Sequence, residues 1–269
     1  MRQLKVLSYN IQVGIDSHRF GHYVTRSWRH LFPSKQRQNN LHGVSKILKD
    51  YDIVALQEVD GGSLRSGFIN QVQYLGDIGQ FNAWYHQCNR NLGKIAQQSN
   101  GLLSRLPVSS ITNHKLPGRI PGRGAIEAIF GENNIHLAVY VVHLSLGKKA
   151  RAQQLHYLST LLKKHPFVII LGDMNMLPEE LKQWTQQNNL QIAGEKELVS
   201  TYPSWQPTTH IDHVLVSNNL SVTKTEVLPF RYSDHLPIAV TLDLPENLAQ
   251  VLCSDGLEQK QEPDKALLE

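Results

Sequence analysis

Cysteine, aromatic residues and long apolar runs are all scarce in this chain. Its 269 residues include only Cys88 and Cys253, too few and too poorly placed to support a disulfide framework. No apolar run approaches the ~20 residues that a membrane-spanning helix needs. The first predicted strand begins a few residues after Met1, which leaves no room for a secretory signal. We therefore expect a cytoplasmic protein, with peripheral attachment to the inner face of the membrane as an option.

The composition predicts one catalytic domain. A hydrophobic content of 41% over 269 residues is enough to form one sizeable core. There is no internal repeat, no low-complexity block and no change of composition before Pro245. We expect one domain over 1–245, followed by an acidic, polar C-terminal tail over 246–269.

Several predicted strands lead directly into acid, amide or histidine side chains. Taken singly, an Asn or Asp after a strand is commonly a turn former or a helix cap, and a lone His is commonly a hydrogen-bonded core residue. Because strand ends are where sheets present ligands, their joint occurrence predicts one active site. The polar positions that share this placement are Asn10, Glu58, His143, Asp173, Asn175, Asp212, Asp234 and His235.

The local motifs around these positions resemble the endonuclease/exonuclease/phosphatase superfamily from about Leu4 to Leu244. The motifs are Ser8-Tyr9-Asn10-Ile11, Leu56-Gln57-Glu58-Val59, Ser99-Asn100-Gly101, Val142-His143-Leu144, Gly172-Asp173-Met174-Asn175, Ile211-Asp212-His213-Val214 and Ser233-Asp234-His235-Leu236-Pro237. The resemblance implies an α/β (α+β) fold, a four-layer sandwich of two packed, mainly antiparallel or mixed β-sheets flanked by helices. Helical spacing of apolar residues predicts helices over 40–50, 69–79, 148–164 and 178–188.

A metal site is expected around Glu58. A hard carboxylate at the end of a buried strand suits Mg²⁺ or Mn²⁺, which keep several waters and need few protein oxygens. Asn10 and Asp234 are expected to complete or orient that metal shell. The resemblance also implies that Asp173 positions the attacking water and that Asn175 donates its amide to the phosphate.

Two histidines and one further carboxylate complete the expected catalytic set. His143 and His235 would flank the phosphoryl group, where protonated imidazoles can donate to oxygens that hold negative charge. Asp212 is expected to pair with His235 and to fix its tautomer. Spacing leaves open whether Asp173 or His235 accepts the proton of the water.

Substrate contacts are expected from Asn100, which lies in a family motif, and from Arg123, in a loop rich in Gly and Pro. Residues 13–39 form a basic, aromatic arm with almost no acid. This arm can be interpreted as a solvated surface segment without a binding role. The two functional interpretations are contact with an anionic membrane surface and contact with nucleic acid. We expect no obligate protein partner and a monomer.

The resulting hypothesis is a Mg²⁺- or Mn²⁺-dependent phosphodiesterase that uses direct attack by water. His143 stands where the related abasic-site endonucleases carry a Tyr-containing motif, so this position looks more like the deoxyribonuclease and sphingomyelinase branches. A phospholipid-type or other small phosphodiester is therefore preferred, with DNA cleaved by an endonuclease or exonuclease as the alternative. A phosphate-binding scaffold without turnover is a further alternative.

Overall fold

The structure is a computed structural model, and it describes residues 2–14, 35–119, 121–132, 134–195 and 200–254. Two mixed sheets of six strands each lie within these residues. Most of the basic, aromatic arm over 13–39 falls outside the described residues, so its expected role stays a prediction.

The first sheet carries Asn10 and Glu58 near the ends of two neighbouring strands. Its strand order is β11-β12-β1-β2-β4-β3, and only β1 and β2 run parallel within it. The strands are β1 (Gln3–Asn10), β2 (Ile53–Val59), β3 (Ala83–Asn91), β4 (Gln97–Ser104), β11 (Ser221–Val227) and β12 (Ile238–Asp243).

The second sheet repeats this arrangement with β7 and β8 as its parallel pair. Its order is β5-β6-β7-β8-β10-β9. The strands are β5 (Ser110–Lys115), β6 (Gly124–Glu132), β7 (Ile135–His143), β8 (Phe167–Asp173), β9 (Leu190–Ile192) and β10 (Asp212–Ser217). In register, His143 lies opposite Asp173, and Asp173 lies opposite Asp212.

The sheets pack face to face, and helices cover their outer faces. Strand residues such as Val6, Ile169 and Phe130 form the core between the sheets, because both faces of the central strands are apolar. Outside them lie α1 (Lys35–Leu48), α2 (Gln71–Gly79), α3 (Lys148–Leu162) and α4 (Pro178–Gln187). The predicted four-layer sandwich is confirmed, and the predicted helices over 148–164 and 178–188 differ from α3 and α4 by one or two residues.

A fifth helix, α5 (Glu246–Ser254), lies where the polar tail was expected to begin. Leu248 and Leu252, four residues apart, are both buried in the core between the sheets, because this spacing places them on one helix face. The domain boundary at residue 245 stays a prediction. Among the residues described, no helix is both long and apolar enough to span a bilayer.

Candidate active site

Both sheets deliver their polar strand ends to the same edge of the sandwich. Asn10 ends β1 of the first sheet, and Asp173 ends β8 of the second. The amide nitrogen of Asn10 donates to Asp173 Oδ2 at 3.2 Å and faces Glu58 Oε1 at 3.4 Å. Asn10 therefore connects the sheets and brings the two carboxylates to one place.

Asp173 lies at the centre of the site. Its Oδ1 accepts a hydrogen bond from the backbone N–H of Asn175 at 2.9 Å. Its Oδ2 lies 3.5 Å from His143 Nε2 and 3.9 Å from His235 Nε2. Burial, and then the charge of Asp212, raises the pKa of Asp173, so this carboxylate is a stronger base than a solvent-exposed one.

The expected pair of Asp212 and His235 is present. His235 Nδ1 donates to Asp212 Oδ2 at 2.8 Å, which directs Nε2 towards the cleft. Burial alone would lower the pKa of His235, but the charges of Asp212 and Asp173 outweigh it and raise the pKa to about 10. The imidazole is therefore held as a cation that can donate from Nε2.

Strained backbone marks two of the expected positions. Glu58 and Asn175 have φ values of +54° and +51°, in the left-handed region that non-glycine residues seldom adopt and that is enriched at functional sites. Before Asp173, a Cβ on Gly172 would lie 1.9 Å from the carbonyl oxygen of Val142. Only glycine lets β8 approach β7 this closely.

The acidic side chains suit a hard divalent cation. Burial, and then the charge of Asp234, raises the pKa of Glu58, which shows that the carboxylates at this edge repel one another. Asp212 Oδ1 is buried and has no hydrogen-bond partner among the described residues. Although neighbouring atoms crowd the Glu58 carboxylate, 35% of its side chain stays exposed, more than for Asp173 or Asp212. A cation beside Glu58 would offset this excess of negative charge.

A second grouping could also hold a metal. Asp173, Asp212 and His235 each offer a ligand atom, and these atoms lie within 4.8 Å of one another. In this set, however, Asp212 Oδ2 already accepts from His235, and a protonated imidazole cannot bind a cation. Glu58, with Asn10 and Asp234 nearby, is therefore the better location.

The two amides expected to contact the substrate are already engaged within the protein. Asn175 Nδ2 donates to the carbonyl of Leu144 at 3.0 Å, and Asn100 Nδ2 donates to the carbonyl of Gly124 at 3.0 Å. Each amide nitrogen keeps one further N–H. Asn100 is only 1% exposed, and its contact holds β6 directly beside Arg123.

Arg123 lies at the mouth of the cleft. Burial lowers the pKa of its guanidinium, and the charges of Glu58 and Asp173 counteract that effect. Burial, followed by the positive charge of Arg123, also lowers the pKa of His143 well below its ordinary value. His143 is therefore neutral, in contrast to the protonated state expected for it from the sequence.

Two residues of the site carried no sequence signal. Thr201 Oγ1 donates to Asp212 Oδ2 at 2.5 Å, and the ring of Tyr202 lies 4.9 Å from that of His235. Both belong to an irregular segment without a predicted strand before it, so neither strand pattern nor motif pointed to them.

The sequence matches the profile of the Endonuclease/Exonuclease/phosphatase family over residues 7–235. A comparison with curated protein sequences gave no match.

Several solved structures share the fold. An endonuclease/exonuclease/phosphatase from Beutenbergia cavernae has a TM-score of 0.70 at 17% identity, covering 91% of this chain and 72% of that chain. A mannosyl-6-phosphatase from Bacteroides thetaiotaomicron has a TM-score of 0.66 at 18% identity, with 90% and 100% covered. D. rerio TDP2 complexed with single strand DNA product has a TM-score of 0.63 at 16% identity, with 90% and 99% covered.

Proposed function

The chain belongs to the endonuclease/exonuclease/phosphatase family and is therefore a metal-dependent hydrolase of phosphate esters, and we propose that within this class it is a phosphodiesterase. The observation that supports this proposal best is the position of Asp173 Oδ2, which faces Asn10, His143 and His235 at 3.2, 3.5 and 3.9 Å. A carboxylate so placed can orient a water and accept its proton.

Asp173 is assigned as the base and His235 as the donor. The raised pKa of Asp173 brings its basicity closer to neutral pH, where a general base is most effective. His235, held by Asp212 with Nε2 towards the cleft, donates to the phosphoryl oxygens or to the leaving oxygen. Neutral His143 contributes a further hydrogen bond, and Asn175 orients Asp173 through its backbone N–H.

Glu58, with Asn10 and Asp234, would hold the metal, and Mg²⁺ or Mn²⁺ fits these oxygen and amide groups. When bound, the cation supplies positive charge to the phosphate oxygens. Arg123 supplies a second cation at the mouth of the cleft, where a guanidinium can form two parallel hydrogen bonds to a phosphate.

A phospholipid-type or small phosphodiester remains the preferred substrate. Where the structure describes the chain, its exposed large apolar side chains all lie in connections at the active-site edge. They are Phe68, Leu92, Ile95, Leu146, Leu177 and Phe230. An apolar rim around a phosphate site suits a substrate presented at a lipid surface, since large exposed apolar groups commonly mark interaction sites. We propose a monomer with no obligate protein partner.

DNA is the second candidate. The similar D. rerio TDP2 structure contains a single strand DNA product, and the net charge of +4 suits a polyanion. A nuclease would bind less tightly as salt is raised, because binding to phosphates releases counterions.

The proposal is tested by measuring turnover of bis(p-nitrophenyl) phosphate with and without Mg²⁺, alongside p-nitrophenyl phosphate, sphingomyelin vesicles and plasmid DNA. We expect metal-dependent cleavage of diesters and a ~10²- to 10⁴-fold loss of rate in Asp173→Asn. Asp50→Asn, an exposed carboxylate at the opposite edge, is the matched control and should stay within about twofold of the wild type.

Two outcomes would contradict the proposal. Cleavage of the monoester alone would make the protein a phosphatase instead. A loss of less than about tenfold in Asp173→Asn would remove this carboxylate from the base position. Cleavage confined to plasmid DNA would favour the nuclease over the lipid-type substrate.

A further inference from the structure

A groove of about 1520 Å³ opens beside the active site. One wall is formed by residues 117–119 and 121–123, and the opposite wall is an exposed face of α3. Lys149, Gln153, His156 and Thr160 line this face at helical spacing. Thr160 lies eleven residues after Lys149, so the two are separated along the helix axis by roughly 16 Å at 1.5 Å per residue, and the groove is long enough for an extended group.

Among the residues that the structure describes, cations line the groove and no acidic side chain does. Arg90, Arg119, Arg123 and Lys149 all contribute to its walls, and none of them forms an ion pair with another described residue. Unpaired cations without acids between them produce a local positive potential that attracts anions.

Lys148, one residue earlier in α3, behaves differently. Its Nζ lies 3.8 Å from Glu180 Oε1, to which Arg151 also points at 3.7 Å, and neither cation faces the groove. Lys148 therefore has a carboxylate within ion-pair distance, whereas Lys149 has none among the described residues. The positive charge is therefore concentrated on the groove side of the helix.

Buried contacts hold the groove in shape. Gln154 is 1% exposed, and its Nε2 donates to the carbonyl of Pro117 at 3.0 Å while its Oε1 accepts from the backbone N–H of Ser145 at 2.9 Å. This one side chain of α3 contacts both Pro117 and the segment after β7. The cations consequently project from a preorganised frame.

Arg90 is placed by a close approach to the same loop. A Cβ on Gly122, where φ is +113°, would lie 3.2 Å from Arg90 Cβ. The Arg90 side chain therefore packs against Gly122, the residue before Arg123. In addition, Gly147 precedes α3 as its N-cap and provides no side-chain cap, and the positive end of the helix dipole adds to the same potential.

We propose that this groove binds a second phosphate group of the substrate, carried on the organic group beyond the phosphate that is cleaved. Arg123 interacts with the charges of Glu58 and Asp173 and also lines the groove, so it connects the reacting phosphate with this second subsite. Arg90, Arg119 and Lys149 contact the second phosphate, which arginine binds in a two-pronged geometry. The volume exceeds the ~300–1,000 Å³ of ordinary small-ligand sites, which leaves space for the organic group.

The inference rests on the proposed function, but its test is a binding measurement that needs no turnover. Thymidine 5′-monophosphate and thymidine 3′,5′-bisphosphate are titrated into the full chain with Mg²⁺ in a calorimeter. A second pair, glycerophosphoinositol with and without a 4-phosphate, represents the lipid-derived source of the same chemistry. We expect the added phosphate to tighten binding by at least about tenfold in one of the pairs.

Variants decide where that gain arises. Arg119→Ala combined with Lys149→Ala should bring the ratio of the two dissociation constants close to one. The matched control Lys148→Ala, which removes a cation from the same helical turn, should keep the wild-type ratio. Equal affinities in both pairs would overturn the proposal, as would a ratio that survives the double substitution.

The corresponding p-nitrophenyl esters of thymidine 5′-phosphate, with and without a 3′-phosphate, separate this proposal from the proposed function. If neither ester is cleaved but the binding ratio depends on Arg119 and Lys149, the phosphodiesterase assignment fails and the second subsite stands. If both are cleaved with equal kcat/KM and bound with equal affinity, the phosphodiesterase assignment stands and the second subsite fails.

Discussion

Two substitutions of Asp212 separate the effect of its charge on His235 from its effect on the orientation of the imidazole. Its Oδ2 accepts hydrogen bonds from both Thr201 Oγ1, at 2.5 Å, and His235 Nδ1, at 2.8 Å. In Asp212→Asn the amide oxygen can occupy the same position, so both contacts can persist while the charge is lost. In Asp212→Ala both contacts disappear, and the imidazole is no longer oriented.

The size of each effect follows from these contacts. A hydrogen bond to a charged group contributes about 1.5–3 kcal/mol, against about 0.5–1.5 kcal/mol for a neutral one. Losing the charge therefore removes about 1.4 kcal/mol, or about tenfold in rate. We expect Asp212→Asn to lower kcat/KM by about 10- to 100-fold, and Asp212→Ala to approach the ~10²- to 10⁴-fold loss of His235→Ala.

A double-mutant cycle tests whether the two residues act as one unit. Adding Asp212→Ala to His235→Ala should cost little more than His235→Ala alone, because the carboxylate acts through the imidazole. The assay is steady-state cleavage of bis(p-nitrophenyl) phosphate at saturating Mg²⁺, with thermal unfolding as the check on folding. If the loss of rate in the double variant equals the product of the two single losses, Asp212 does not act through His235.

The pH profile provides a separate readout of the same pair. The charges of Asp212 and Asp173 raise the pKa of His235 to about 10, so the donating form persists into alkaline solution. Removing the charge in Asp212→Asn lowers that pKa, and the alkaline limb of kcat should shift to lower pH. An unchanged limb would mean that another group titrates there.

Three further predictions concern the metal, the core and the outer face of the second sheet. Glu58→Gln should raise the Mg²⁺ concentration for half-maximal activity by at least about tenfold. Substitution of the exposed Glu132 by Gln is the control and should leave that concentration unchanged. If Glu58→Gln and the wild type need the same Mg²⁺ concentration, the metal is bound elsewhere. Phe130→Ala removes a fully buried ring and should lower the free energy of unfolding by about 3–5 kcal/mol. Phe230→Ala at the exposed rim should change it by less than about 0.5 kcal/mol. Similar values for the two variants in denaturant titrations would contradict the burial of Phe130 in the core. Burial alone would raise the pKa of Glu127, but its contacts with His165, His114 and Tyr140 outweigh burial and lower the pKa to about 2. Its stabilising contribution is therefore present above its ordinary pKa of 4.5 and is lost as pH falls towards 2. Glu127→Gln should therefore flatten the pH dependence of stability between these values, and an unchanged dependence would contradict this account.

The strands, several helices and the catalytic edge could be predicted from local sequence patterns, whereas the sandwich fold was implied by the resemblance to a family. Apolar runs that end in Asn10, Glu58, His143 or Asp173 predict strands that deliver polar groups, and parallel neighbours bring such ends together. The helix α3 could also be predicted from the sequence, since Leu155, Leu158 and Leu162 recur on one face. Each of these signals lies within a few residues of the feature that it predicts.

Other parts of the site depend on contacts between distant segments. Thr201 reaches Asp212 from an irregular loop, and Asn100 holds the strand beside Arg123 rather than projecting into solvent. The protonation of His143 was predicted wrongly, because burial and the nearby charge of Arg123 lower its pKa. Burial and neighbouring charge are properties of the folded chain, so residue type could not reveal them.

The sequence by itself pointed to the family and to the residues that gather at one edge, because short motifs and strand patterns are local features of the chain, and the four-layer sandwich followed from the family resemblance, not from periodicity. Only the tertiary structure decided how these residues are charged and where the substrate can extend. The groove proposed for a second phosphate is the clearest example: Arg90, Arg119, Arg123 and Lys149 lie on separate segments of the sequence, and only the packing of the two sheets and α3 brings these cations around one space.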